Sequence, residues 1–225
     1  MCRMLVLTGY AEALEYLLLK FQTLSIYGKS IDKKGHEDGW GIGYYNCEGV
    51  HLSKKAECAL KSEDYLNLVR KVTCENPSIV MAHLRKATPG TQVTDREAHP
   101  FLDGDSLFCH NGSLWRADGS PLGEDLDSLI LFRRIQETSF KDALLHFRNY
   151  NYTSLTCLLT DGHTVWAYRD YREREEYYTL YYLKGENFIL FCSEPICTGE
   201  WTLMKKGELV TVFQTLDMET DLILG

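Results

Sequence analysis

Cys2-Arg3-Met4-Leu5-Val6-Leu7 is a short apolar run carrying one charge, and the residues after it set Leu14, Leu17, Leu18 and Phe21 at the spacing of one helix face. The run predicts a buried strand over 2–7, and the spacing predicts a helix over 11–21. Working outward, 39–45 and 50–54 bracket Asn46-Cys47-Glu48-Gly49, which reads as a hairpin with its glycine in the turn. Ser62, followed by Glu63 and Asp64, opens a helix over 62–74. Ile79-Val80-Met81-Ala82-His83-Leu84 is a second buried strand that delivers Arg85 to a loop over 86–98. Short strands at 100–102 and 106–109, joined through Asp103-Gly104-Asp105, deliver His110-Asn111-Gly112. Helices are expected at 126–135 and 140–147, then strands at 154–159, 163–168, 177–183, 188–192 and 209–213, separated by Asp161-Gly162, Lys184-Gly185 and Lys206-Gly207. Strands outnumber helices, and the helices fall in two groups. The pattern implies an α+β arrangement in which two mostly antiparallel sheets stack and helices cover their outer faces. No repeat or linker divides the chain, so one domain over 1–225 is expected.

With 32 acidic against 24 basic residues, the chain carries a net charge of -8, which argues against a broad phosphate-binding face and so against nucleic acid as a partner. The apolar runs at 4–7 and 16–19 are interrupted by Arg3, Glu12, Glu15 and Lys20 well short of a membrane span, and the reading is a soluble, cytoplasmic protein. Eight cysteines without a CxxC pair do not make a disulfide scaffold. Cys192 and Cys197 flank Ser193-Glu194-Pro195 but lack the second pair that a metal site needs. Neither metal nor cofactor is expected.

A cysteine directly after the initiator Met is chemically distinctive. Removal of Met1 leaves a thiol and an α-amine on one residue, so a nucleophile and its base share a carbon. The competing reading is that Cys2 simply starts a buried strand. His110-Asn111-Gly112 follows an apolar strand, where an Asn side-chain amide and a backbone N–H can converge on one spot as an oxyanion hole, although Asn-Gly is also a common turn. Arg85 at a strand mouth suits bidentate grip of a carboxylate. His36-Glu37-Asp38-Gly39-Trp40-Gly41 sets charged groups ahead of a glycine-rich strand open to close approach, or forms a tight loop with solvated charges. The run Asp170 to Glu176 reads as a solvated loop or strand end.

Taken in order, Cys2, His36-Glu37-Asp38-Gly39-Trp40-Gly41, Ala82-His83-Leu84-Arg85-Lys86-Ala87-Thr88, His99-Pro100-Phe101, His110-Asn111-Gly112 and Ser193-Glu194-Pro195 resemble the class II glutamine amidotransferases, N-terminal nucleophile hydrolases. The likeness is to stand-alone members and runs from residue 2 to about residue 213. It implies a four-layer αββα sandwich. It also implies Cys2 as nucleophile with its α-amine as base, Asn111 and Gly112 as the oxyanion hole, Arg85 with Thr88 on the substrate α-carboxylate, and His36 and Asp38 among the substrate-binding residues. Asp125-Leu126-Asp127-Ser128 offers two carboxylates for the α-ammonium, and the resemblance puts that role on Asp127. The implied substrate is L-glutamine or another γ-glutamyl compound, a small peptide or thiol among them, split through a γ-glutamyl thioester. An ammonia-accepting synthase subunit would be the partner of a glutamine-cleaving member, because 225 residues leave no room for an acceptor domain. Two other readings are a metal hydrolase built on His36, Asp38, His83, His99 and His110, whose spacing matches no standard zinc motif, and an inactive regulatory or scaffold subunit that retains Met1.

Overall fold

The computed structural model describes residues 2–223 apart from Lys33 and Pro89. Met1, whose removal the reading of Cys2 invokes, lies outside the described residues. The chain opens with β1 (Arg3–Gly9), α1 (Leu14–Tyr27), the hairpin β2 (Gly39–Asn46) and β3 (Gly49–Lys55), α2 (Glu63–Glu75) and β4 (Ile79–Arg85). A middle section holds β5 (Phe101–Asp103), β6 (Ser106–Asn111), β7 (Leu114–Trp115), α3 (Asp127–Glu137), α4 (Phe140–Phe147) and β8 (Asn151–Tyr152). The remainder is strands: β9 (Thr156–Thr160), β10 (Val165–Arg169), β11 (Tyr181–Lys184), β12 (Phe188–Cys192), β13 (Thr202–Leu203), β14 (Glu208–Val212) and β15 (Met218–Leu222).

Two large antiparallel sheets result, ordered β13-β11-β12-β1-β4-β2-β3 and β15-β14-β10-β9-β6-β5, while β7 and β8 form a separate pair. Strand alternation shares out the apolar residues. On β1, Met4 and Val6 enter the core between the sheets with Met81, Leu107, Cys109 and Leu158, while Leu5 and Leu7 turn to α1 and α2. Phe108 on β6 turns the opposite way from its neighbours, onto α3 and α4. Three apolar layers separated by two sheets make the four-layer αββα sandwich that the resemblance implied, in agreement with the two stacked sheets read from the strand pattern. Both faces of β1 and β4 are covered, which is why their sequences run apolar without alternating. The helices bury Tyr65, Val69 and Val72 on α2, and Leu131, Phe132 and Ile135 on α3, the i, i+3, i+4 and i+7 positions of one stripe. Ser62 Oγ accepts from Tyr65 N at 3.0 Å, the cap expected at the start of α2.

Several boundaries differ from the sequence reading. α1 continues to Tyr27 because Leu24 and Ser25 extend its buried face. β11 begins at Tyr181, four residues later than the apolar run suggests: Tyr177 and Tyr178 pack with Tyr171 in a separate aromatic cluster. The carbonyls of Glu175, Tyr178 and Met204 all accept from the buried Arg169 guanidinium, which holds the chain there out of the sheet. Asp170 is not solvated. Fully buried, it accepts from Tyr152 Oη at 2.9 Å and Tyr168 Oη at 3.2 Å and lies 3.4 Å from Arg148 Nε, so only the residues after Tyr171 form the exposed part of that charge run. The short β7, β8 and β13 and the exposed edge β15 carry too few buried residues to leave a pattern. Among the described residues no helix is long and apolar enough to cross a membrane.

Because β1 and β4 are antiparallel, Arg3 pairs with Leu84 and the head of one strand meets the tail of the other. Cys2 and Arg85 therefore emerge side by side at one end of the first sheet, and the end of β6 in the second sheet meets them.

Candidate active site

Cys2, Arg85, Thr88, Gly112 and Asp127 line one cavity of about 790 Å³. Its sequence origins are far apart, and the sandwich edge brings them together. Cys2 is buried, with its Sγ 3.8 Å from the carbonyl oxygen of Lys86. Its backbone nitrogen donates to Asn111 Oδ1 at 2.9 Å, which fixes the side-chain amide and directs Nδ2 away. That Nδ2 is buried and finds no acceptor among the described residues. A buried, unpartnered donor beside a thiol can stabilise an oxyanion formed there.

Gly112 has no room for a side chain: a Cβ would sit 2.0 Å from Ser154 O and 2.7 Å from His110 Nε2. His110 is buried beneath it. Nε2 lies 3.0 Å from Ser154 O, which can only accept, so Nε2 carries the proton and Nδ1 accepts from Ser128 Oγ at 2.8 Å. Burial holds this imidazole below its usual pKa against the opposing pull of Asp127 and the Ser154 bond, consistent with a neutral ring.

Arg85 is gripped from behind. Its Nη2 donates to Gln92 O at 2.8 Å and to Glu97 Oε2 at 2.9 Å, while the buried Nη1 has no partner among the described residues. A guanidinium held this way offers one preset donor to an incoming carboxylate at little cost in ordering. Asp127 opens α3, where its Oδ1 accepts from Ser128 N at 2.7 Å and its Oδ2 from Leu114 N at 2.6 Å. Asp125 also lines the cavity but is bound to the Arg133 guanidinium at 2.6 Å. Of the two carboxylates, only Asp127 faces no cationic side chain in a described ion pair. Thr88 closes the rim, its carbonyl accepting from Thr91 N and Oγ1.

The other two expected residues sit elsewhere. His36 is fully buried behind the loop that follows α1, with Nε2 3.2 Å from Lys29 O and its ring against Gly28, and it lines neither of the two cavities described here. Asp38 accepts from Ala87 N at 2.8 Å, which fixes the segment next to Arg85, and it lines a neighbouring cavity. No group of His, Cys, Asp and Glu suited to a metal ion occurs among the described residues.

Three arrangements could not be read from the sequence, although His83 and His99 stood in its motifs. Glu97 and Gln92 hold Arg85 from a loop without periodicity. His99 lines the cavity and stacks on His83 with ring centroids 4.5 Å apart; neither ring has a described hydrogen-bond partner, and burial pushes both well below the usual histidine pKa. Arg3 is the third: its Nε lies 2.5 Å from Glu194 Oε1, its Nη1 donates to Cys2 O at 2.8 Å, and its Nη2 donates to Lys29 O. A charge inside an otherwise apolar strand was the available signal.

The family profile described as glutamine amidotransferases class-II matches residues 1–187. An uncharacterized protein of Methanocaldococcus jannaschii is 28% identical over 81% of this chain and 62% of its own length. The gamma-glutamyl-hercynylcysteine sulfoxide hydrolase of Mycolicibacterium smegmatis is 29% identical over 50% of this chain and 51% of its own. The chain thus spans less than two thirds of these relatives. Among solved structures, the glutamine phosphoribosylpyrophosphate amidotransferase of B. subtilis aligns with a TM-score of 0.70 at 14% identity, over 98% of this chain and 49% of that one. A glutamine aminotransferase class-II domain protein of Silicibacter pomeroyi aligns at 0.66 and 17% over the full length of both. The fold is that of the N-terminal nucleophile amidotransferases, and with its first 187 residues matched by the family profile, the chain belongs to the class II glutamine amidotransferases.

Proposed function

We propose that the protein is an N-terminal cysteine amidohydrolase that cleaves the γ-amide of L-glutamine, or of a related γ-glutamyl compound, through a thioester on Cys2. The observation that carries this reading is the meeting, in one cavity, of a thiol, a guanidinium with an open Nη1 and a carboxylate, with an unpartnered buried amide hydrogen-bonded to the thiol's own residue. A guanidinium and a carboxylate together complement an α-amino acid zwitterion. With Arg85 and Asp127 on the α-carboxylate and α-ammonium, the γ-carbonyl extends towards the thiol.

Removal of Met1 turns the Cys2 nitrogen into an α-amine, a group whose ordinary pKa of about 8 suits proton exchange with a thiol near neutral pH. Thiolate attack forms the S–C bond and places the oxyanion against Asn111 Nδ2 and the Gly112 N–H. The C–N bond then breaks, and the nitrogen leaves with a proton from the Cys2 ammonium. Water, deprotonated by the same amine, hydrolyses the thioester to release glutamate. Thr88 borders the carboxylate end, and Asp38 acts through Ala87 on the segment beside Arg85. If glutamine is the substrate, the ammonia would serve a synthase subunit elsewhere.

The test is release of ammonia and glutamate from L-glutamine by protein whose Met1 removal is verified by intact mass, alongside Cys2→Ala. Release that depends on Cys2 supports the proposal. Full activity in Cys2→Ala sinks it, and an intact mass that retains Met1 favours the inactive-subunit reading.

A further inference from the structure

A second cavity, of about 810 Å³, shares Lys86, Ala87, Thr88 and Ser113 with the first. Cys2 itself lines the first cavity, and its Sγ lies 3.8 Å from the carbonyl oxygen of Lys86, one of the shared residues. Arg85 and Asp127 line the first cavity only. A γ-glutamyl group anchored by those two residues brings its carbonyl to the thiol, and the substituent on the amide nitrogen continues away from the anchors. The second cavity adjoins this end of the site through the shared residues 86–88 and Ser113. Ammonia needs about the volume of one water, ~30 Å³, whereas sites of several hundred Å³ hold organic ligands.

Beside the charged Asp32, Lys34, Glu37 and Asp38, its lining has an apolar side made by Ile26, Ile31 and the ring of Tyr177, which is braced by the Arg3 guanidinium 4.7 Å from its centroid. The Lys86 ammonium is drawn to the loop after α1 by Asp32, Lys34 O and Gly35 O.

We infer that the second cavity receives the amine released from the scissile amide, and that this amine carries an apolar body, so that the substrate is a γ-glutamyl amide larger than glutamine. The inference rests on the γ-glutamyl reading of the first cavity. Its chemistry is that of the proposed reaction: the S–C bond forms, the C–N bond breaks, and the amine departs with the proton of the Cys2 ammonium.

The experiment compares L-glutamine with γ-L-glutamylbenzylamide, whose amine is about as basic as ammonia, so that intrinsic leaving ability is matched. The expected kcat/KM is about tenfold or more higher for the benzylamide, a difference within the reach of an apolar pocket. Ile31→Asp, a change at a residue already 48% exposed, lowers the ratio of the two values about fivefold or more. Equal or better use of glutamine, or equal loss on both substrates in Ile31→Asp, overturns the inference. A diazoketone analogue of glutamine, which alkylates a thiol with loss of dinitrogen, reads the glutamyl site alone. Labelled Cys2 without preference for the benzylamide rejects only the leaving-group cavity; unlabelled Cys2 rejects the γ-glutamyl reading with it.

Discussion

The backbone nitrogen of Cys2, just ahead of β1 in one sheet, and the side-chain oxygen of Asn111, at the end of β6 in the other, lie 2.9 Å apart, and that bond leaves the Asn111 Nδ2 donor turned away without a partner among the described residues. Asn111→Asp keeps an acceptor for the Cys2 nitrogen and removes the donor. Removing one oxyanion donor typically costs about 10²- to 10³-fold in rate, so kcat for L-glutamine falls by that factor with KM little changed. Steady-state kinetics check this, and an unchanged kcat removes Asn111 from the oxyanion hole.

Arg85→Ala leaves Glu97 without its cation and a substrate carboxylate without its donor. Hydrogen bonds to charged groups contribute about 1.5 to 3 kcal/mol, which corresponds to a KM increase of roughly ten- to a hundredfold. Glu97→Gln retains the guanidinium but loosens it from behind, and a smaller rise is expected. Initial rates over a range of glutamine concentrations separate the two variants.

Arg3 and Glu194 form an ion pair with both side chains largely buried, 0% and 12% exposed. Glu194→Ala leaves a buried guanidinium short of its counter-charge, at a cost of about 3 to 5 kcal/mol, which for a chain of this size lowers Tm by about 10 °C. Arg3→Lys does not restore it, because one ammonium cannot serve Glu194, Cys2 O and Lys29 O together. Thermal melts of the two variants decide this.

Burial holds His83, His99 and His110 below the ordinary histidine value of 6.5. In the unfolded chain these rings take up protons as pH falls through 6.5, while in the folded chain they stay neutral until a lower pH. The unfolded state then binds more protons, so stability present above pH 6.5 is lost below it. Each such histidine contributes a slope of up to about 1.4 kcal/mol per pH unit. Urea unfolding at pH 7.5 and pH 5.5 measures it, and equal stabilities at the two values refute the assignment of neutral, buried rings.

The sequence by itself determined the layers and marked out the candidate site residues. Covered strands read as unbroken apolar runs, as at Met4 to Leu7 and Ile79 to Leu84, and covered helices read as stripes. Polar residues at the very ends of such strands, Arg85 and Asn111 among them, stand out against the apolar background. The tertiary structure alone decided which of these residues meet. The antiparallel pairing of β1 with β4 brings Cys2 beside Arg85, and the stacking of the second sheet brings Asn111 to the Cys2 nitrogen. It also separated Asp127 from Asp125 by giving Asp125 the Arg133 guanidinium, withdrew His36 to a supporting position behind a loop, and recruited Glu97 and Glu194 as braces. Such contacts join residues from 7 to 191 positions apart. Local propensity and periodicity act over a few residues, and carry no record of pairings that only the register of strands and the packing of sheets create.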